Sequence, residues 1–254
     1  MFLIPELAFA NLPWNTNAES IGTGATIIEY NKASATGISV FYKIPYQLTE
    51  LSIRKLLADT YIGSNLFSLE LAQTGDKTLN ETLFTISASR QLSEIFFIKI
   101  ACNNFHIKSI NGAKGNTIFT EVQFLYQPFS YLIIGSHLFN PTGAVINTEI
   151  RDYKIDRSFR LGSRFFPIKN LSFIMEFEKT LGEEPIWHLG SEYSIMNALK
   201  VRFGFSGKPL IITWGLSLKH KTMEFSTAAS QHPILGITTA FSVKHYWNKN
   251  KFRK

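Results

Sequence analysis

Apolar and polar residues alternate with period two along most of the chain. Leu199-Lys200-Val201-Arg202-Phe203-Gly204-Phe205 places apolar side chains on one face and Lys, Arg and Gly on the other. Trp187, Leu189, Tyr193 and Ile195 alternate with His188, Gly190, Glu192 and Ser194, and Ile212, Trp214, Leu216 and Leu218 with Thr213, Gly215, Ser217 and Lys219. Successive side chains of a strand point to opposite faces, so these segments are two-faced strands. The pattern predicts strands over 21–30, 35–44, 49–57, 61–73, 79–90, 93–108, 115–127, 129–139, 157–167, 169–180, 184–195, 197–206, 209–219, 222–230 and 234–247. Only 48–58 also admits a helical stripe, through Leu48, Leu51, Ile53, Leu56 and Leu57. The strand content exceeds that of an ordinary globular domain. The segments are also longer than usual strands and reach the roughly 9–11 residues that cross a bilayer when tilted.

The two faces decide the solvent. One is large and aromatic; the other carries Arg, Lys and Glu beside Gly and Ser. A soluble barrel of about fourteen strands is too wide for apolar side chains to fill. The inverted arrangement has no such difficulty: apolar groups meet lipid and charged groups line a wet lumen. Closure also leaves no unpaired edge. The expected fold is therefore all-β, a transmembrane antiparallel barrel of about fourteen strands over 35–247. It is preceded by a lead-in or plug segment over 11–34, in which 21–30 is set aside from the wall, and followed by a basic tail over 248–254.

Loop lengths agree with this. Outer connections are expected at 45–48, 74–78, 109–114, 140–156, 181–183, 207–208 and 231–233, and tight inner turns at 58–60, 91–92, 128, 168, 196 and 220–221. The long loop from Asn140, Pro141, Thr142 and Gly143 to Asp156 is the expected place of external contact, or else a plain lid. Aromatic residues near strand ends fit interfacial girdles: Tyr42, Tyr46, Tyr61, Tyr126, Phe129, Tyr131, Phe139, Phe165, Phe166, Trp187, Tyr246 and Trp247.

Composition narrows the choice further. With 45% hydrophobic, 14% aromatic and 18% charged residues the 254-residue chain is too apolar for disorder. No run of about 18 apolar residues provides a transmembrane helix. The single Cys102 excludes an intramolecular disulfide framework and a cysteine-rich zinc site. The net charge of +7 is too diffuse to argue for nucleic acid. Met1 to Leu7 followed by Ala8-Phe9-Ala10 reads as the remnant of a secretory signal peptide over 1–10.

No catalytic constellation is apparent. The six histidines show no metal-ligand spacing, and there is no nucleophile elbow and no phosphate loop. Gly22-Thr23-Gly24 lacks the third glycine and the helix of a nucleotide fingerprint. Gly135, Gly162, Gly190, Gly204, Gly215 and Gly236 read as close-packing positions of a barrel wall. The chain is expected to be no enzyme and to use no cofactor. The remaining constellation is the predicted lumen set: Glu70, Arg90, Lys99, Glu121, Arg160, Arg164, Glu176, Glu178, His188, Glu192, Lys200, Arg202, Lys219, Glu224 and Lys244. Both signs are present, so the set forms either a cross-strand ionic network or a charged eyelet that selects solutes.

The C-terminal half resembles the PorV/PorQ-type outer-membrane proteins, which belong with the FadL-like barrels. The resemblance rests on the order of Ser158-Phe159-Arg160-Leu161-Gly162, His188-Leu189-Gly190-Ser191-Glu192-Tyr193, Leu199 to Phe205, Trp214-Gly215-Leu216-Ser217-Leu218 and Pro233 to Val243, with Ala18 to Ala25 similar to the family's small-residue opening. Two features depart from it: Asn31-Lys32-Ala33 stands where an Asn-Pro-Ala element is expected, and seven residues follow Trp247. The resemblance implies a bacterial outer-membrane barrel in contact with lipid. It serves either secretion-apparatus proteins or the passage of a hydrophobic small molecule, with a soluble periplasmic β-protein as the third reading. A packed, salt-bridged interior without a cavity favours the first role, and an apolar pocket near 21–46 favours the second.

Overall fold

The computed structural model describes residues 17–28, 36–110, 114–148 and 152–247. The signal-peptide remnant and the basic tail fall outside them. A five-residue helix α1 (Ala18–Gly22) is followed by sixteen strands, β1 (Gly37–Ile44), β2 (Ile53–Ile62), β3 (Asn65–Gly75), β4 (Leu79–Gln91), β5 (Phe96–Ser109), β6 (Lys114–Phe129), β7 (Leu132–Phe139), β8 (Val145–Asn147), β9 (Asp152–Lys154), β10 (Ser158–Ile168), β11 (Leu171–Thr180), β12 (Ile186–Met196), β13 (Leu199–Ser206), β14 (Ile211–His220), β15 (Met223–His232) and β16 (Gly236–Tyr246). Fourteen of them, all but β8 and β9, form one closed antiparallel barrel in which β1 pairs with β16. Closure satisfies the backbone of every wall strand without an edge.

Apolar side chains face outward. Phe203, Trp214 and Phe241 are 44%, 42% and 50% exposed, while Arg160, Arg202 and Glu176 are buried inside. In water so large an exposed apolar surface invites aggregation; against hydrocarbon it is the favourable surface. The chain therefore spans a membrane with strands. Among the described residues no helix is long and apolar enough to cross one. This closed wall with its apolar outside is the architecture of bacterial outer-membrane barrels, and that is the membrane it fits.

Connections alternate as the loop lengths predicted. Two-residue hairpins at 63–64, 130–131, 169–170, 197–198 and 221–222, with the four-residue turn 92–95, lie at one end. The other end carries the longer connections, including 140–157 between β7 and β10. The first wall strand starts and the last one finishes at the hairpin end, which in bacterial barrels faces the periplasm.

Several local expectations are corrected. The expected turn at 58–60 lies within β2, and the chain reverses instead at Gly63-Ser64, where Gly63 adopts φ +61°. The strand expected from 49 begins only at Ile53, because 45–47 and 49–51 form 3-10 turns. In the set-aside segment 21–30, residues 21 and 22 are helical. Arg90 is exposed and lies on the outward register of β4, next to the hairpin end, not in the lumen. Five of the proposed girdle aromatics also point inward. Tyr46 and Phe139 line the cavity at the loop end, Tyr61 lines the one at the hairpin end, Phe166 packs with Ile28 and Leu125, and the Tyr246 hydroxyl donates to Glu224. Period two gives face membership only relative to a strand's neighbours, and these residues sit beside bulges or turns where the phase resets. Tyr126, Phe129, Tyr131, Phe165, Trp187 and Trp247 are exposed.

Candidate functional site

Residues 17–28 lie inside the barrel, and the lumen charges are arranged around them. Helix α1 is too short to be stable alone. Its start is fixed by a capping box, in which Ser20 N donates to Asn17 Oδ1 at 2.7 Å and Asn17 N to Ser20 Oγ at 3.0 Å. Its apolar side, Ala18 and Ile21, packs with Phe41, Ile53, Ala228 and Ala240 of the inner wall.

Beyond the helix the chain turns at 23–25, where Gly24 and Ala25 have φ +82° and +60°, and it then depends largely on wall side chains for its hydrogen bonds. Gly24 N donates to Thr213 Oγ1 at 2.9 Å, and the Gly24 carbonyl accepts from His188 Nδ1 at 2.8 Å. The Ala25 carbonyl accepts from Arg160 Nη1 at 2.9 Å. Ile27 N and Ile28 N both donate to Glu176 Oε1, at 2.8 and 2.6 Å. A buried backbone must find partners, and here four lumen side chains supply them.

Glycines make the approach possible. Gly24 has φ +82°, and a Cβ on it would lie 2.6 Å from the carbonyl oxygens of Leu189 and Phe205. A Cβ on Gly204 would meet Gly24 N at 2.4 Å. Gly190 faces Thr23, Gly215 faces Gly22 and Gly135 faces Ile28, so the wall glycines form a track for the segment. Gly204→Val is expected to unseat residues 22–28 while leaving the barrel closed. Faster amide hydrogen exchange at Gly24, Ile27 and Ile28, with unchanged heat-modifiable gel mobility, is the expected readout.

The structure brings most of the predicted charges together in three groups on one side of the lumen. Arg160 Nη2 lies 2.7 Å from Glu178 Oε2, the residue opposite it in register, and Nη1 lies 3.6 Å from Glu176 Oε2. His188 Nε2 contacts the same Glu178 oxygen at 2.9 Å. Both His188 ring nitrogens thus face oxygen atoms, those of Glu178 and the Gly24 carbonyl. In the second group Glu192 accepts from Arg202 Nε at 2.7 Å and from Arg164 Nη2 at 2.9 Å, with Lys200 Nζ at 3.8 Å. Arg202 also reaches Glu19 of α1 at 3.8 Å and Ser217 Oγ at 2.5 Å. In the third, Lys219 and Lys244 stand 5.1 Å from the centre of the Tyr246 ring, whose hydroxyl donates to Glu224 at 2.7 Å. On the opposite wall Lys55 pairs with Glu70 at 3.1 Å, and Glu121 binds His137 at 3.0 Å and Asn103 at 2.8 Å. Lys99 lines the cavity beside them.

The loop residues behave differently from one another. Asn140 is fully buried: its amide donates to the Ile155 carbonyl at 2.9 Å and its oxygen accepts from Ala144 N at 2.9 Å. It shapes the loop and is not available for external contact. Pro141 and Thr142 are exposed, and Gly143 turns the chain with φ +66°. The loop folds back through the hairpin β8–β9, which inserts Ile146 among Ala72, Leu83, Phe105, Ile107 and Phe119 inside the mouth.

Cavities lie on both sides of the inner segment. One of about 660 Å³ opens at the loop end and is lined by Phe105, Phe119, Phe139, Ile146, Tyr153 and Ile155, with Ile21, Ala25 and Ile27 of the inner segment. At its margin Asp156 is held above the usual carboxylate range, at about 6, by partial burial and by the nearby carboxylates of Glu183 and Glu178. The other, about 340 Å³, lies toward the hairpins and is mixed, with Lys55, Asp59, Glu70, Lys99 and Glu121 beside Phe41, Leu57 and Phe97. Ile27 and His137 line both.

An apolar pocket near 21–46 was the expected mark of passage, and the cavity is bordered there by Ile21, Ala25, Ile27, Pro45 and Tyr46, but its lining from β5, β6 and the long loop was not among the expected lumen residues. A signal existed in β5, where apolar residues occupy even positions at Ile98 and Ile100 and odd positions at Phe105 and Ile107, with polar Asn104, His106 and Lys108 between them. That change of phase turns the greasy face from lipid to lumen. Among the described residues no group of three His, Cys, Asp or Glu is placed to hold a metal ion.

No known protein-family model matches the chain, and no curated protein does. Solved structures match its fold. The TodX deltaS2S3 mutant monoaromatic hydrocarbon channel superposes with a TM-score of 0.69 at 10% identity, covering 92% of this chain and 99% of its own. The Pseudomonas putida toluene transporter TodX gives 0.65 at 10% identity over 93% and 97%. A Pseudomonas aeruginosa FadL homologue gives 0.61 at 10% identity over 94% and 100%. The chain thus has the FadL-like outer-membrane barrel fold.

Proposed function

We propose that this protein is an outer-membrane channel for hydrophobic small molecules, a conduit and not a catalyst. The observation that carries the reading is the apolar cavity of about 660 Å³ at the loop end, floored by Ile21, Ala25 and Ile27. A salt-bridged interior without a cavity was the mark of a secretion-associated barrel. Here the ionic groups hold residues 24–28, and the cavity lies beside them. The named functions of the barrels that share the fold, hydrocarbon channels and a toluene transporter, lend support. The secretion role rests on the PorV/PorQ-type resemblance alone.

An apolar cavity of this volume suits a ligand of one or two rings. Naphthalene is expected to bind the purified full chain saturably in equilibrium dialysis against protein-free micelles. Ile146→Arg, which puts a charge among Phe105 and Phe119, is expected to weaken that binding at least about tenfold, since an unpaired buried charge is strongly unfavourable. Absence of saturable binding by the wild type would end the channel reading.

A further inference from the structure

The mouth cavity is not apolar throughout. Thr74 on β3 and Glu81 on β4 both line it, stand opposite each other in register and are 5% and 2% exposed. Among the described residues, Thr74 Oγ1 and both carboxylate oxygens of Glu81 have no hydrogen-bond partner. Opposite residues of antiparallel strands hold their Cβ atoms about 5 Å apart, so the two side chains form one polar spot. Lys43 shares the row through Ile53 and Thr74 but is three strand spacings away, about 14 Å along the wall.

A buried carboxylate without a partner is costly. A structural role would have given Glu81 a cation or a donor, as every carboxylate around residues 19–28 has one. The outward residues beside this row, Arg54, Gln73, Thr82 and His106, are polar, whereas one step below stand Leu56, Leu71 and Phe84, with Asn104 the polar member of that row. The spot thus sits above the apolar belt, where an incoming solute first meets the wall.

We infer that Thr74 and Glu81 bind the hydrogen-bond donor of an amphipathic ligand, a hydroxyl on an aromatic or aliphatic body, while the body rests against Phe105, Phe119 and Ile146. The inference deepens the channel reading and rests on it. The ligand class is then an apolar alcohol or phenol in preference to the parent hydrocarbon, because a site with unpaired acceptors rejects an analogue that lacks the donor.

The test is competition between 1-naphthol and naphthalene for the full-length wild type in equilibrium dialysis. One hydrogen bond to the buried Glu81 carboxyl, against none from the hydrocarbon, corresponds to a preference for 1-naphthol of about tenfold. Glu81→Leu is expected to bring 1-naphthol down to the level of naphthalene, and Thr74→Val to reduce the preference. Glu81→Leu should also resist urea better than the wild type, as removal of an unpartnered carboxylate predicts and loss of a structural contact does not. Saturable naphthalene binding without preference for 1-naphthol overturns this inference and leaves the channel. Equal preference in wild type and Glu81→Leu overturns it as well. Failure of both probes to bind overturns the channel reading beneath it.

Discussion

Arg160→Met is expected to destabilise the barrel by about 3–5 kcal/mol, the range for breaking a buried ion pair by removing one partner. Arg160 is 8% exposed and serves three acceptors: Glu178, Glu176 and the Ala25 carbonyl. Methionine fills part of the volume but leaves two carboxylates to share His188. The loss divides between wall and inner segment, because the same guanidinium ties β10 to β11 and both to residue 25. Urea titration in lipid vesicles measures the first part, and amide exchange at Ile27 and Ile28 the second. Arg160→Lys keeps the charge but not the fork of donors, so it should recover part of the wall stability while the Ala25 contact stays weakened. A shift in midpoint below about 1 kcal/mol for Arg160→Met would show that the ionic groups are solvated and do not hold the lumen.

Phe203→Arg carries the second large effect. Phe203 points outward from the middle of β13, opposite Ser191 and Trp214, and is 44% exposed. An arginine at the bilayer midplane of a barrel costs about 2–4 kcal/mol. The same change at Leu235, in the turn between β15 and β16, meets water and should stay within about 0.5 kcal/mol. Equal effects at the two sites would contradict a lipid-facing surface at Phe203.

The two substitutions probe features of unequal legibility. The outward position of Phe203 could be read from seven residues, since alternation through Leu199 to Phe205 fixes two faces. Charge on one face and aromatic bulk on the other then fix which face meets lipid. The pairing of Arg160 with Glu178, or of Glu192 with Arg202, follows from neighbouring strands once the hairpins are set. What those pairs hold could not be read. Nothing local in Gly24-Ala25-Thr26-Ile27 says that its amides and carbonyls will face Thr213, His188, Arg160 and Glu176, residues 135 to 189 positions away. Wall glycines were legible as sites of close approach, but not as a track for this segment.

The long loop shows the same limit from the other side. Its length and turn residues mark it as a surface element, and Pro141 and Thr142 are exposed as such residues usually are. Ile146 reads as an ordinary apolar residue until β8–β9 is seen to fold into the mouth, where its neighbours come from four other strands. Asn140 reads as a loop tip and is in fact the buried brace of the loop.

The chain's own period therefore determined the barrel, a wall of about fourteen strands once 21–30 was set aside, the side that meets lipid and the alternation of long and short connections. These depend on neighbours two residues apart or on hairpin partners, so they are written locally. Only the tertiary structure decided what the lumen contains: a segment held by the ionic groups, an apolar chamber under a folded-back loop, and an acidic side chain left without a partner in it. Those features arise where distant strands converge on one axis. Their energies depend on which groups lose water together, and that is set by closure of the wall and not by any stretch of sequence.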